Sequence, residues 1–213
     1  MNRESLKKLL LSFTGEDYKS NVDLHIHSNE SDGKMAPLEI LKQAKEAGKK
    51  YIAIADHNNI DAYLSTNILS EELVIPAVEF DCIFKGVIIH ILGFGINIDN
   101  EEIKSLYAPE GIGCRHDIYR LIKLRNAKEV IDKIKGAEGI PVLAHPACYW
   151  CFDLDKFIKQ LVDLGLEGLE TYYPYRGFRG VLKFHSADKV KEIADKYGLI
   201  KTGGTDSHGK KLL

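Results

Sequence analysis

An excess of charge of either sign is missing from this chain: its 213 residues carry 29 Lys+Arg against 31 Asp+Glu, a formal net charge of −2. That balance gives no electrostatic footprint for non-specific binding to nucleic acid or a membrane surface, although it leaves room for a local basic pocket. Long apolar runs are missing too. Val87–Ile91 is broken at His90 and falls far short of the ~20 residues a bilayer requires. Cysteine is scarce, at 4 residues, too few for a disulfide scaffold, which points to a reducing compartment. The brief Leu9-Leu10-Leu11 run carries Lys7 and Lys8 in its own helical pattern, so it does not read as an export signal. The expected location is the cytoplasm, with no membrane contact and no obligate protein partner evident. Repeats, low-complexity tracts and Pro/Gly/Ser linkers are also absent, so nothing divides the chain.

What is present is the composition of a globular protein, 45% hydrophobic and 28% charged. The length suits one domain spanning 1–213. Short, apolar, often β-branched segments read as strands at Val22–His27, Tyr51–Ala55, Val74–Glu79, Val87–Leu92, Ile140–Ala144, Glu167–Thr171 and Leu199–Thr202. Between them Pro37–Ala47, with Leu38, Leu41 and Ala44 on one face, reads as a helix ending at Gly48. Asp153–Leu164 before Gly165 and Ala187–Tyr197 before Gly198 repeat that design. The alternation predicts an α/β fold of βαβ units with a largely parallel sheet. Residues 99–136 break the pattern and read as a small helical insertion, with a main helix over His116–Ile134.

The chemistry collects at strand ends: Asp-Leu-His-Ile-His at 23–27, Ala-Asp-His at 55–57, Val-Glu-Phe at 78–80, Ile-His at 89–90, Ala-His-Pro at 144–146 and Thr-Asp-Ser-His at 205–208. In parallel β/α folds the following loops converge at that end, and function is built there. His25 and His27 sit one residue apart, so on a strand both rings face the same side and can reach one metal ion. Taken alone, such a pair reads equally well as two core histidines. Burying the whole set without metals would strand charges and donors, so the set predicts a metal site. Glu79 and Asp206 can complete it, and a carboxylate can bridge two ions. Asp23 and Asp56, beside His25 and His57, are candidate acceptors for imidazole N–H groups, with backbone capping as their other reading.

These motifs, together with Ser-Asp-Gly at 31–33 and Gly-Thr-Asp-Ser-His-Gly at 204–209, resemble those of the PHP (polymerase and histidinol phosphatase) superfamily over about Asn21–Gly209. Leu-Glu-Gly-Leu-Glu-Thr-Tyr-Tyr-Pro at 166–174 is most similar to its stand-alone bacterial metal-dependent phosphoesterases. The resemblance implies a distorted seven-stranded β/α barrel holding two or three divalent metal ions. It implies His25, His27, Glu79 and Asp206 around a first ion, with Glu79 bridging to a second held by His90 and His145. Asp32, His57 and His208 would hold a third, Asp32 standing where several relatives carry histidine. Mixed imidazole and carboxylate donors suit zinc, manganese or iron alike.

No Gly-x-Ser-x-Gly elbow is present, and no Cys/His pair sits at suggestive positions. Clustered metals need no protein nucleophile, because they lower the pKa of bound water, orient the hydroxide and neutralise developing phosphoryl charge. The expectation is therefore a phosphoesterase that hydrolyses a small phosphate monoester, a nucleotide or phosphorylated metabolite, by metal-bound hydroxide. The alternatives are an exonuclease or phosphodiesterase acting on short nucleic acid, an amidohydrolase-like enzyme, and a non-catalytic metal-binding module. A phosphate also wants a cation, and Arg115 and Arg176 are the candidates by position. Arg120, Arg125 and Arg179 read as surface; Tyr172, Tyr173, Tyr175 and Phe178 either stack on a base or ring or pack the barrel rim; Cys148 and Cys151 read as small, half-buried thiols. His116 and His185, at helix starts, read as surface or packing residues, with His116 beside Arg115 able to line the substrate mouth.

Overall fold

The computed structural model describes residues 1–108, 124–175 and 184–212. Its parallel strands are β1 (Val22–Ile26), β2 (Tyr51–Ile54), β6 (Ile140–Leu143), β7 (Gly168–Tyr172) and β8 (Ile200–Gly203), together with the two-residue β5 (Arg125–Asn126) beside β3 (Ala77–Phe84). The expected third strand lies further along than its apolar run suggests. Val74 contributes only an isolated bridge to Ile52, and β3 runs on through Asp81 to Phe84. The reason is a hairpin: Lys85 and Gly86, both at positive φ (50° and 78°), turn the chain directly into β4 (Val87–Phe94). Thus β4 is antiparallel to β3 and also to β6, an exception to the otherwise parallel arrangement.

Continuous ladders form a pair, β1–β2, and a six-stranded sheet in the order β5-β3-β4-β6-β7-β8. Isolated bridges span the two seams, Ile26 to Ser207 on one side and Ile52 to Val74 and His57 to Glu79 on the other. Neighbour relations therefore return from β8 through β1 and β2 to β3, although no single ladder closes the ring.

The helices form where capping and apolar spacing coincide. Asp153 caps α7 (Leu154–Asp163) by accepting from Lys156 N, and Leu154, Phe157, Ile158 and Leu161 bury its i, i+3, i+4, i+7 stripe. Ser186 caps α8 (Ala187–Lys196) in the same way, burying Val190, Ile193 and Ala194. Helix α3 (Pro37–Glu46) starts on Pro37 but buries Ile40, Leu41 and Ala44, leaving the expected Leu38 59% exposed. The insertion departs most from expectation. Where the sequence predicts one helix over 116–134, Arg125 and Asn126 pair with β3, and Asn126 caps a new helix, α6 (Ala127–Gly136). Numbering in this order leaves α1 (Arg3–Ser12), α2 (Gly15–Ser20), α4 (Asp61–Leu64) and α5 (Glu101–Lys104) as the remaining described helices.

Most of the core lies between these helices and the strands. A second cluster joins Leu6 and Leu10 of α1 to Leu24, Ala53, Ala77, Leu92, Phe94 and Val142. Strand alternation carries this apolar layer into the site. Ala77, Glu79 and Asp81 share one face of β3, and Phe94, Leu92 and His90 are their opposite numbers on β4. The apolar layer supports the charged one.

Candidate metal centre

All nine residues expected as metal ligands come together. The centre is Glu79, which is buried at 1% exposure and shared between its two oxygens. Its Oε1 lies 3.0 Å from His90 Nδ1 and 3.1 Å from His145 Nε2. Its Oε2 lies 3.4 Å from His25 Nε2, 3.3 Å from His27 Nε2 and 3.2 Å from His57 Nε2. Asp206 Oδ1 approaches His27 Nε2 at 3.1 Å, and Asp32 Oδ1 approaches His208 Nε2 at 3.0 Å. His90 enters from the middle of antiparallel β4 rather than from a strand end, and its side chain is the most exposed of the imidazoles in these pairs, at 22%.

Backbone geometry is specialised here. His145 (φ 30°) and Asp206 (φ 50°) both adopt the left-handed region, at about 1–3 kcal/mol each. Neighbours over-determine both. Glu170 Oε2 accepts from His145 N at 2.8 Å, while Tyr173 donates to Asp206 Oδ2 at 2.8 Å. Asp23 holds the preceding residue by accepting from Thr205 N at 2.9 Å and from its hydroxyl at 2.8 Å. Gly204 is required for close approach, because a Cβ there would stand 2.4 Å from the Cβ and backbone N of His25.

Asp23 and Asp56 therefore act as loop fasteners rather than as acceptors for imidazoles. Asp56 accepts from Ser28 N at 2.7 Å, from Ser28 Oγ at 2.6 Å and from Ser31 Oγ. The imidazoles are held by two buried carboxylates outside the expected set. Glu170 Oε1 accepts from His25 Nδ1 at 2.9 Å, and Asp81 Oδ1 lies 3.2 Å from His57 Nδ1 and 3.1 Å from His90 Nε2. Asp81 had a sequence signal: it stands two residues after Glu79, the spacing that pairs His25 with His27. Glu170 is brought to the site only by β7 packing.

The donor set fits divalent ions. Three groups of donor atoms each lie within 4.8 Å of one another: His25, His27 and Asp206; His57, Glu79 and His90; and His27, Asp32, His57 and His208. With its Nδ1 proton given to Glu170, a neutral His25 points a lone pair at Glu79 and Asp206, so acceptors converge on acceptors and need a cation between them. Protons fill this role in the metal-free protein. Burial would lower His27, but Asp206 and Glu79 outweigh it and push the ring up to about 9. Burial drives His57 down to about 4 despite Asp81 and Glu79. Burial would raise Asp32, yet His208, His57 and His27 hold its carboxyl well below the ordinary range. The buried Nδ1 of His27 makes no hydrogen bond, and that of His57 meets Asp81 Oδ1 at 3.2 Å as an ion-pair contact.

The PHP domain model matches residues 23–197. The chain belongs to the PHP family. A phosphoribosyl 1,2-cyclic phosphate 1,2-diphosphodiesterase from Eggerthella lenta is 24% identical, over 88% of this chain and 94% of that protein. A 3',5'-nucleoside bisphosphate phosphatase from Chromobacterium violaceum is 30% identical over 68% of this chain, which spans 50% of its length. A structure described as a putative metal-dependent phosphoesterase from Bifidobacterium adolescentis superposes with a TM-score of 0.74 at 21% identity, covering 90% of this chain and 88% of the other. Phosphate-ester hydrolases are thus the company this PHP domain keeps, and its clustered histidines and carboxylates suit that chemistry.

Arg115 and Arg176 lie outside the described residues, as do His116, Arg120, Phe178 and Arg179. Arg125, on β5, donates to Asn58 Oδ1 at 3.0 Å. Tyr172 stacks on Tyr18 at 5.2 Å, and Tyr175 accepts from Ala147 N at 3.3 Å, so both pack the rim. His185 lies 3.5 Å from the thiol of Cys151; Cys148 and Cys151 are half-buried and Cys82 is buried. Among the described residues no helix is long and apolar enough to cross a membrane.

Proposed function

We propose that this chain is a metal-dependent phosphoesterase that hydrolyses a small phosphate monoester, a nucleotide or phosphorylated metabolite, in the cytoplasm. The observation that carries this reading is the division of Glu79, whose Oε1 meets His90 and His145 while its Oε2 meets His25, His27 and His57. A carboxylate divided in that way suits two adjacent cations. His25, His27 and Asp206 with Glu79 would hold one zinc, manganese or iron ion, and Glu79, His90 and His145 a second. Asp32, His57 and His208, with His27 beside them, would hold a third. Such ions supply Lewis acidity and a water of lowered pKa.

The protein's own part is to orient and to admit. Glu170 sets which nitrogen of His25 faces inward, and Tyr173 keeps Asp206 Oδ1 turned toward His27. Substrate would enter over His90 and His145, the ligands around Glu79 Oε1 with side chains 22% and 12% exposed. Arg115 and Arg176 are the proposed phosphate contacts. An amidohydrolase-like reading fares less well: among the described residues Glu79 rather than a lysine stands between the histidine groups, and Lys201 turns outward to Asp195. A neighbouring structure described as an amidohydrolase from Chromobacterium violaceum, at 19% identity, speaks for the fold alone.

Phosphodiester hydrolysis is the second reading, favoured by relatives named as a cyclic-phosphate diphosphodiesterase and as a 5'-3' exoribonuclease from Haemophilus influenzae. One panel separates the two. Metal-loaded protein and His25→Ala are assayed on p-nitrophenyl phosphate, its bis-ester, nucleoside monophosphates, histidinol phosphate and short oligonucleotides, with manganese, zinc and iron compared. Turnover of monoesters that is lost in His25→Ala is expected. Preference for the bis-ester or oligonucleotides would establish the diesterase reading, and tight metal binding without any turnover would leave a binding module.

A further inference from the structure

Asp81 is buried, stands directly opposite His90 across the β3–β4 hairpin, and is not among the metal ligands assigned above. Its Oδ1 lies 3.1 Å from His90 Nε2 and 3.2 Å from His57 Nδ1. The other nitrogen of each ring faces Glu79, His90 Nδ1 at 3.0 Å from Oε1 and His57 Nε2 at 3.2 Å from Oε2. A neutral imidazole carries one proton, so a carboxylate on one side keeps the proton there and leaves the lone pair on the other. One oxygen of Asp81 therefore faces Nδ1 of one ring and Nε2 of its neighbour.

Asp81 is itself held. Asn58 Nδ2 donates to Asp81 Oδ2, and Asp81 N donates to Asn58 Oδ1 at 3.1 Å. Arg125 Nη1 donates to the same Asn58 oxygen at 3.0 Å, and Ala108 N donates to the Asn58 carbonyl at 2.8 Å. Residues 108 and 125 of the insertion segment are thus both fastened to the residue that follows His57.

We propose that Asp81 is a positioning residue for the metal-binding face of His57, Glu79 and His90, holding His57 to binding through Nε2 and His90 to binding through Nδ1. This rests on the metal reading above. The Asp81→Asn variant tests it because neither amide orientation works: one sets NH₂ against the NH₂ of Asn58, the other sets NH₂ against the ring N–H groups.

The experiment is a zinc titration of the metal-free full chain, wild type against Asp81→Asn. Zinc affinity is expected to weaken by about 10–100-fold in the variant at the sites that use His90 and His57. The class at His25, His27 and Asp206 stays unchanged and reports that the variant is folded. Unchanged affinity in every class would overturn the proposal while leaving the metal reading intact. Wild-type protein that takes up no zinc, manganese or iron would overturn both. A second readout needs no variant: in zinc-loaded wild type labelled with ¹⁵N-histidine, the ring proton should sit on Nδ1 of His57 and Nε2 of His90. The reverse tautomer in either ring overturns the proposal.

Discussion

Glu170 grips His25 through its side chain and a second proposed ligand, His145, through its backbone. Its Oε1 accepts from His25 Nδ1 at 2.9 Å, and its Oε2 accepts from His145 N at 2.8 Å. One buried carboxylate thereby fixes the tautomer of a β1 histidine and pins a left-handed turn after β6. Glu170→Gln keeps the shape but only one acceptor. It should weaken metal binding about 10–100-fold, and lower the stability of the metal-free protein by about 1–3 kcal/mol through the unsatisfied group. Zinc titration and urea unfolding measure the two effects separately.

Tyr173→Phe removes the donor to Asp206 Oδ2 and little else. A hydrogen bond to a charged group contributes about 1.5–3 kcal/mol, so metal affinity should fall by at least about tenfold, with near-normal folding. Equal metal affinity in the two proteins would show that the Asp206 loop is held by Thr205 and Asp23 alone.

Metal binding should be tied to pH. Desolvation would lower His27, yet Asp206 and Glu79 push it up to about 9, so in the metal-free protein this ring is charged at neutral pH. A cation must displace that proton, so apparent affinity should rise with pH until about pH 9 and then level off at this group. Calorimetry at pH 7 in two buffers of different ionisation enthalpy should show protons released on zinc binding. Heats independent of buffer would contradict this.

Two glycines separate close approach from backbone freedom. At Gly204 a Cβ would meet His25 at 2.4 Å, so Gly204→Ala should destabilise by about 1–3 kcal/mol or more and lower metal affinity as well. At Gly48, with φ +69° and nothing within 4 Å, alanine should cost only about 1–2 kcal/mol and leave metal binding unchanged. Denaturant unfolding with a parallel zinc titration distinguishes them.

Local pattern alone carried much of this molecule. Caps and apolar stripes at α7 and α8, the His25–His27 spacing and the placing of histidines at strand ends are short-range features, and each is legible because it depends on neighbours within a few residues. The PHP motifs likewise follow from order and spacing along the chain. Only the tertiary structure decided which acids serve the imidazoles. Asp23 and Asp56 sit beside ligands in sequence, yet the local geometry turns them onto Thr205, Ser28 and Ser31. Asp81 and Glu170 reach the rings instead, because a hairpin sets β4 antiparallel and β7 packs beside β6. A side chain's partner across a sheet depends on register, and register is settled by long-range packing and hydrogen bonding that no local sequence pattern encodes.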